Sequence, residues 1–160
     1  MLITSKYLWS WVMLLLTPMA MAQSLNCKVI KISDGDTVRC LDVQNRQHRI
    51  RLAGIDAPES RQAYGQVSKQ SLAGMIFQKQ VRIDLTGTDR YGRKIGIIYL
   101  GQRDINREQV VRGMAWSYSR YPQKDYAKAE AKARSQRIGL WRDPNPIYPE
   151  NFRLHKNNGK

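Results

Sequence analysis

Three acidic residues are the first candidates for chemistry in this sequence. Asp36 lies just after a predicted turn, and Asp56 and Glu59 lie where the third predicted strand ends. The chain has 13 acidic residues against 27 basic ones, so carboxylates grouped at strand ends indicate a bound cation more than surface decoration. Oxygen ligands without histidine or thiolate favour a hard ion, Ca²⁺ or Mg²⁺. Single carboxylates more often shape turns, and Asp34 is assigned that role.

Two arginines supply the complementary charge. Arg51 lies on the same predicted strand as Asp56, and Arg93 ends the segment 89–93. A planar guanidinium group grips a phosphate through two hydrogen bonds and stays charged at any working pH. Phosphoryl transfer requires neutralised phosphate oxygens and a positioned nucleophile. These requirements would be met by three parts together: a cation held by two carboxylates, two arginines beside it, and one further carboxylate. This set of residues is typical of a phosphodiesterase.

The overall charge indicates the same class of substrate. The 160 residues carry a formal net charge of +14 and have a pI of about 10.1. Such an excess attracts polyanions through many weak phosphate contacts, so nucleic acid is the expected partner. The alternative is a solvated basic surface that aids solubility. Because 42% of the residues are hydrophobic, the chain can form one domain with a packed core.

The amino-terminal residues 1–22 have the pattern of a signal peptide. Lys6 precedes an almost unbroken apolar run over residues 8–16, and Ala20 and Ala22 provide a small-x-small cleavage site. The run is shorter than the roughly 20 residues that span a membrane. We expect cleavage before Gln23, export to the periplasm or the medium, and no stable membrane association afterwards. An uncleaved amino-terminal anchor is the alternative.

The two cysteines flank a predicted hairpin. If Asp34 and Gly35 form its two-residue loop, Cys27 faces Asp42 and Cys40 lies diagonally on the same side of the sheet. A bulge, or a loop centred one residue earlier, places the cysteines directly opposite each other. Both arrangements are close to bridging distance. In an oxidising compartment a disulfide is favoured over two buried thiols, for stability rather than redox chemistry.

The hydrophobic pattern predicts five strands and three helices. The strands are predicted at 27–32, 37–43, 47–55, 81–85 and 94–100, and the helices at 63–77, 106–112 and 125–138. A helix inserted after the third strand predicts a five-stranded OB-type barrel with about three packed helices, an α+β fold. This domain is expected to cover residues 23–142. Residues 143–160 are expected to form a Pro-rich extended segment and then a mobile basic tail.

Several motifs occur together in an informative order. They are DGDT at 34–37, RIRLAGIDAPE at 49–59, Tyr64-Gly65, DRYGR at 89–93 and GLW at 139–141. Each motif alone occurs by chance, but their order and spacing together are specific. On these residues the chain resembles the staphylococcal nuclease family, also called thermonucleases, over roughly 29–141. The family fold is a five-stranded OB barrel with three helices, in agreement with the prediction from the residues.

The resemblance implies a role for each motif residue. Asp36 and Asp56 ligate Ca²⁺ together with the backbone carbonyl of Ala57, Glu59 orients or deprotonates the attacking water, and Arg51 and Arg93 hold the scissile phosphate. Ca²⁺ is the expected cofactor, with Mg²⁺ or another divalent ion less favoured. The family commonly has threonine at position 57. Because the expected ligand there is a main-chain oxygen, the change affects surrounding hydrogen bonds more than the metal.

The resemblance also implies contacts to the substrate. Tyr91 matches a family tyrosine that contacts the nucleotide phosphate, and a second tyrosine near the base corresponds to either Tyr118 or Tyr121. The expected activity is that of a monomeric, exported, Ca²⁺-dependent endonuclease on DNA and RNA. It has little sequence preference and leaves 3′-phosphate and 5′-hydroxyl ends. The alternative is an OB module that binds nucleic acid without cutting it. Against this alternative, the five residues proposed for the reaction are all present: Asp36, Arg51, Asp56, Glu59 and Arg93.

Overall fold

The computed structural model describes residues 23–118 and 123–158. The predicted signal peptide, residues 1–22, lies outside the described residues, and so does Tyr121. The strands are β1 Ser24–Asp34, β2 Thr37–Asp42, β3 Gln47–Leu52, β4 Ile55–Asp56, β5 Gln80–Thr88, β6 Lys94–Leu100, β7 Arg103–Asp104 and β8 Trp116–Ser117.

Five of these strands close into a barrel. The antiparallel order β3-β2-β1-β5-β6 is completed by a parallel pairing of β3 with β6, in which Arg51 faces Ile95 and Leu52 faces Gly96. Alternate residues of each strand point inward, so Val38 and Cys40 of β2 are buried while Arg39 between them is not. The short strands β4 and β8 pair outside this sheet. The predicted five-stranded OB-type barrel is confirmed.

The described residues also form four helices and one 3₁₀ turn. They are α1 Gly65–Ile76, α2 Ile105–Val111, α3 Lys124–Ser135, the turn Gly139–Arg142, and α4 Pro149–Asn158. The first three match the predicted helices, with ends shifted by at most three residues. No helix in the described part of the chain is long and apolar enough to cross a membrane.

The helix α4 corrects the expectation of a mobile tail after residue 150. Pro149 occupies the first position of the helix and Glu150 lies in its first turn, where a fixed φ angle and a negative charge both favour a helix start. The prediction failed because the segment is strongly polar, so its periodicity shows no apolar face that would bury it. Besides the ion pairs of Arg153 with Asp56 and Glu59, the helix is held by contacts of the residues that precede it.

Those contacts come from a small aromatic cluster beside the barrel. Trp116 and Trp141 pack edge to face with ring centroids 5.2 Å apart, and Tyr148 packs against Trp116 at 5.8 Å. Leu140 is buried in the same cluster. The main core fills the barrel and the space below α1 and α2, and its largest fully buried side chains include Ile50, Leu52, Ile83, Ile98, Ile105 and Leu72.

The hairpin that carries the cysteines differs in detail from the predicted one. Asp34 pairs with Thr37, so the loop residues are Gly35 and Asp36, one position later than expected. Two irregularities in β1 then restore the pairing of Cys27 with Asp42. A disulfide joins Cys27 and Cys40, whose Cα atoms are 5.6 Å apart.

Candidate active site

A single open cavity of about 1370 Å³ gathers the predicted site residues. It lies at one end of the barrel, between the β1–β2 hairpin, the β3–β4 connection, the β5–β6 loop and α4. Its lining includes Asp36, Arg51, Asp56, Ala57, Glu59, Tyr91, Arg93 and Tyr118, together with Arg153, which the sequence did not indicate. Asp36 and Arg153, which are 117 positions apart in the chain, therefore share one concave surface.

The loop that contains Asp36 is held by hydrogen bonds to its own turn, to α2 and to the segment after β4. Asp34 accepts a hydrogen bond from the backbone N–H of Asp36 at 3.1 Å, which is the turn-shaping role expected of it. Gln109 of α2 donates to the carbonyl of Gly35 at 2.8 Å. The Asp36 carboxylate itself accepts from the backbone N–H of Ala57 at 2.7 Å. This last bond ties the hairpin to the segment that follows β4.

Arg51 braces the second carboxylate. Its Nη1 donates to the carbonyls of Leu52 and Ile55, at 2.8 and 2.9 Å. Its Nη2 lies 3.1 Å from Oδ1 of Asp56 and 3.3 Å from Oδ2 of Asp36. One guanidinium group therefore holds both carboxylates and the backbone between them. Arg51 therefore supports the two carboxylates and also lines the cavity.

The Glu59 segment is held against the start of α1. The backbone N–H of Glu59 donates to the side-chain oxygen of Gln62 at 3.1 Å, and the N–H of Gln62 donates to the Glu59 carbonyl at 2.8 Å. A Cβ atom on Gly65 would lie 2.0 Å from the same carbonyl oxygen. Only glycine therefore permits this approach of the helix to the loop.

The β5–β6 loop presents Arg93 and Tyr91. The Asp89 carboxylate accepts from the backbone N–H groups of Tyr91 and Arg93 and from Nε of Arg93, at 2.7 to 3.0 Å. Burial opposes the charge of Asp89, but these hydrogen bonds outweigh it and lower the pKa of the carboxyl group. Tyr91 is 61% exposed, and the guanidinium groups of Arg90 and Arg93 lie 4.9 and 5.5 Å from the centroid of its ring.

The other tyrosines differ in position. The backbone N–H of Tyr118 donates to the Gly54 carbonyl at 2.8 Å, and its half-buried side chain lines the cavity. Tyr121 lies outside the described residues. Tyr126 and Trp116 are buried and pack in the interior.

Arg153 is the site residue that the sequence analysis missed. Its Nη1 donates to Oε1 of Glu59 at 2.7 Å, and its Nη2 donates to Oδ2 of Asp56 at 2.9 Å. Burial alone would lower the pKa of this guanidinium group, but the hydrogen bonds to both carboxylates raise it. The available signal was the helix start at Pro149-Glu150, which predicts where α4 begins but not what it contacts.

The carboxylates lie in a poorly solvated environment. Burial raises the pKa of Asp34 to about 7, and the neighbouring charge of Asp36 adds to the effect. Burial also raises the pKa of Asp56, despite its hydrogen bond from Arg153, and Asp36 again contributes. In the structure Arg51 and Arg153 supply the positive charge that faces Asp36 and Asp56.

The donor set fits a hard divalent cation. Among the described residues no three His, Cys, Asp or Glu side chains converge as a complete ligand set. The carboxylates of Asp36 and Asp56 lie close together, since Nη2 of Arg51 is 3.3 Å from one and 3.1 Å from the other. Ca²⁺ accepts six to eight oxygen ligands, including backbone carbonyls and water. Two carboxylates and the carbonyl of Ala57 would therefore leave open positions for water and a phosphate oxygen.

The barrel and the cavity together define an OB-barrel protein whose binding site combines carboxylates with arginines. A family model described as staphylococcal nuclease homologue matches residues 49–143. This match includes Arg51, Asp56, Glu59 and Arg93, and Asp36 lies before it. The chain belongs to the staphylococcal nuclease family, as its motifs predicted.

Three curated relatives cover most of the chain. An uncharacterized endonuclease of Haemophilus influenzae is 47% identical over 79% of this chain and 72% of its own length. Protein ParB of Escherichia coli is 40% identical over 84% of this chain and 82% of its own. The micrococcal nuclease of Shigella flexneri is 41% identical over 82% of each chain.

Proposed function

We propose that this protein is an exported, Ca²⁺-dependent endonuclease that hydrolyses DNA and RNA with little sequence preference. The observation that carries the proposal is the convergence of Asp36, Asp56, Glu59, Arg51 and Arg93 in one cavity. Membership of the staphylococcal nuclease family and the names of the Haemophilus influenzae and Shigella flexneri relatives support a nuclease.

Each residue has a distinct task in the proposed reaction. Asp36, Asp56 and the carbonyl of Ala57 would hold Ca²⁺, which when bound supplies positive charge to the phosphate oxygens. Glu59 orients a water molecule and accepts its proton as the water attacks phosphorus. Arg51 and Arg93 neutralise charge on the phosphate as the bond to the 5′-oxygen breaks, and the departing oxygen takes a proton from water. The products are a 3′-phosphate and a 5′-hydroxyl.

The substrate range follows from the groups that face the cavity. Arginine and the exposed face of Tyr91 contact phosphates and ring surfaces, and neither group distinguishes base edges. A contact set that does not include the 2′-hydroxyl also accepts both sugars. Tyr118 and Tyr121 remain the two candidates for the tyrosine near the base.

Export rests on a separate set of observations. Residues 1–22 have the sequence pattern of a cleaved signal peptide. The Cys27–Cys40 disulfide is of the kind that persists in the periplasm or outside the cell. We propose one of these two compartments, and a monomer as the active form.

The test is a cleavage assay with the mature chain, residues 23–160. Single-stranded DNA, duplex DNA and RNA are incubated with Ca²⁺, with Mg²⁺ or with EGTA, and the product ends are mapped. We expect cleavage of all three with Ca²⁺, and none with EGTA. Full activity with Mg²⁺ alone would contradict the assignment of Ca²⁺. Salt-sensitive binding without cleavage under any divalent ion would favour the binding-module alternative.

Replacing the proposed base is the sharpest single variant. Glu59→Gln keeps the size of the side chain but removes its ability to accept a proton, so we expect turnover to fall about 10²- to 10⁴-fold while binding is retained. The matched control is Glu108→Gln, which removes a carboxylate of α2 that pairs with Arg103 of β7. Equal turnover of Glu59→Gln and the control would refute the proposed role of Glu59.

A further inference from the structure

The helix α4 brings a third arginine, Arg153, to two of the three carboxylates of the site, Asp56 and Glu59. We propose that Arg153 is a positioning residue, which fixes the Glu59 side chain and at the same time weakens the affinity of Asp56 for a divalent cation. This inference rests on the proposed function, because Glu59 and Asp56 have their roles only in that reaction. It assigns a task to the carboxyl-terminal helix, which lies beyond the residues that match the family model.

The position of Arg153 is built into the fold. Tyr148, directly before α4, packs against Trp116 with the two rings nearly perpendicular, at 89°. The side-chain amide of Gln62 donates to the carbonyl of Ile147. Gln62 also accepts the hydrogen bond from the backbone of Glu59. The same glutamine therefore anchors both the start of α4 and the loop of the proposed base, and Arg153 follows one helical turn after Pro149.

Arg153 restricts the orientation of Glu59. The Glu59 side chain is 39% exposed, and such a side chain in solvent samples several rotamers. Nη1 of Arg153 donates to its Oε1 at 2.7 Å while Nη2 donates to Asp56 at 2.9 Å. The guanidinium plane therefore sets the position of the Glu59 carboxylate relative to Asp56. Loss of such positioning lowers the rate of the chemical step, because the base must lie within hydrogen-bond reach of the water.

Arg153 acts on Asp56 with the opposite consequence. Its positive charge lies directly against the carboxylate proposed to ligate the cation, with Nη1 at 3.3 Å from the second oxygen. Two positive groups on one carboxylate repel each other and share its lone pairs. Removal of the Arg153 charge should therefore strengthen cation binding, whereas removal of a merely structural residue should weaken it.

The test compares Arg153→Gln with Arg153→Lys in the mature chain. Ca²⁺ affinity is measured by calorimetry without substrate, and kcat and KM are measured separately on single-stranded DNA. For Arg153→Gln we expect Ca²⁺ to bind about tenfold more tightly and kcat to fall about 10- to 100-fold, the range typical of residues that orient a ligand. KM should change little.

The conservative variant and a matched control complete the comparison. Arg153→Lys retains the charge but not the planar fork, so Ca²⁺ affinity should stay near that of the wild type while kcat is only partly restored. Arg142→Gln removes an exposed arginine from the 3₁₀ turn, outside the cavity lining, and should change neither quantity. Circular dichroism verifies that each variant is folded.

The outcomes separate this inference from the proposed function. Unchanged kcat and Ca²⁺ affinity in Arg153→Gln would overturn the inference, and so would weaker Ca²⁺ binding. A raised KM with unchanged kcat would assign Arg153 to the substrate phosphate instead of Glu59 and would overturn it too. If the wild type itself fails to cut with Ca²⁺, the proposed function is wrong. Calorimetry would then still decide whether Arg153 opposes a cation at Asp56.

Discussion

Two buried aspartates of this barrel both pair with basic side chains, but their pKa values are shifted in opposite directions. Asp56 at the cavity is 1% exposed and is bound by Arg51 and Arg153. Asp42, at the end of β2, is 6% exposed and is bound by Arg46 and His48. The pKa of Asp56 is raised by burial, whereas the pKa of Asp42 is lowered, with the His48 hydrogen bond as the largest cause.

Backbone hydrogen bonds add to the effect of His48 on Asp42. The Asp42 carboxylate accepts hydrogen bonds from the backbone N–H groups of Gln44 and Arg46, both at 2.9 Å, so the turn itself stabilises the charge. The partners of Asp56 in the described part of the chain are guanidinium groups, and the charge of Asp36 lies nearby. A carboxylate that accepts hydrogen bonds from the backbone of its own turn stabilises the fold. A buried carboxylate beside a second one is instead suited to bind a ligand.

The largest expected effect is on kcat, when Asp56, the aspartate at the cavity, is replaced. Asp56→Asn removes a charged ligand of the proposed cation, whose stabilisation of the transition state is on the order of 4 kcal/mol, so kcat should fall about 10³-fold. The matched variant Asp42→Asn should keep the wild-type rate per folded molecule. Steady-state cleavage of single-stranded DNA measures both. Similar losses in the two variants would remove the distinction between a ligand and a structural carboxylate.

A smaller effect is expected from displacing the Glu59 loop without changing a charged residue. In Gly65→Ala the new Cβ would meet the Glu59 carbonyl at 2.0 Å, so the loop or α1 must shift. Misplacement of a catalytic group by about 1 Å costs about 10²-fold in rate. Gly74→Ala is the control, because its Cβ meets nothing within 4 Å in the same helix. A wild-type rate in both variants would show that the approach of α1 does not position the base.

The barrel could be predicted from the sequence because its strands carry strong local signals. Alternation places Val38 and Cys40 inward, and the motif spacing around Asp56 and Glu59 identifies their segment. Alternation alone does not distinguish Asp42 from Asp56, since both aspartates end a strand, and only the motif at 49–59 singles out Asp56. The distinction depends on which backbone N–H groups and which other charges surround each carboxylate, and these follow from the turn and from chain closure.

The contacts of Arg153 were beyond sequence reasoning for a different reason. It meets Asp56 across 97 positions of the chain, and nothing in the polar segment around it marks a partner. The position of α4 is set by Tyr148 on Trp116, a contact between two rings that periodicity does not predict. Short helices gain most of their stability from packing, so the start signal at Pro149-Glu150 was too little on its own to predict this helix.

The smallest expected effect is on the stability of the fold, in a variant of Asp42. In Asp42→Asn an amide nitrogen can replace the oxygen that faces Arg46 and His48, both at 2.8 Å, so donors would face donors. The folded pKa of Asp42 lies below its unfolded value, so its charge contributes stability that is fully present above an unfolded pKa of about 3.9. This contribution is lost as the pH falls through the lowered, folded pKa.

Urea unfolding at pH 7, 5 and 3 tests this sign for Asp42. The wild type should exceed Asp42→Asn in midpoint at pH 7 and 5, and the gap should narrow at pH 3, where the unfolded carboxyl group is already protonated. Asp84→Asn is the matched control, because Asp84 pairs with Arg82 at the surface and such pairs contribute little. A gap that widens toward pH 3 would contradict a lowered pKa for Asp42. The charge of Asp42 would then not stabilise the fold. Asp42 and Asp56 would differ only in that Asp56 lines the cavity.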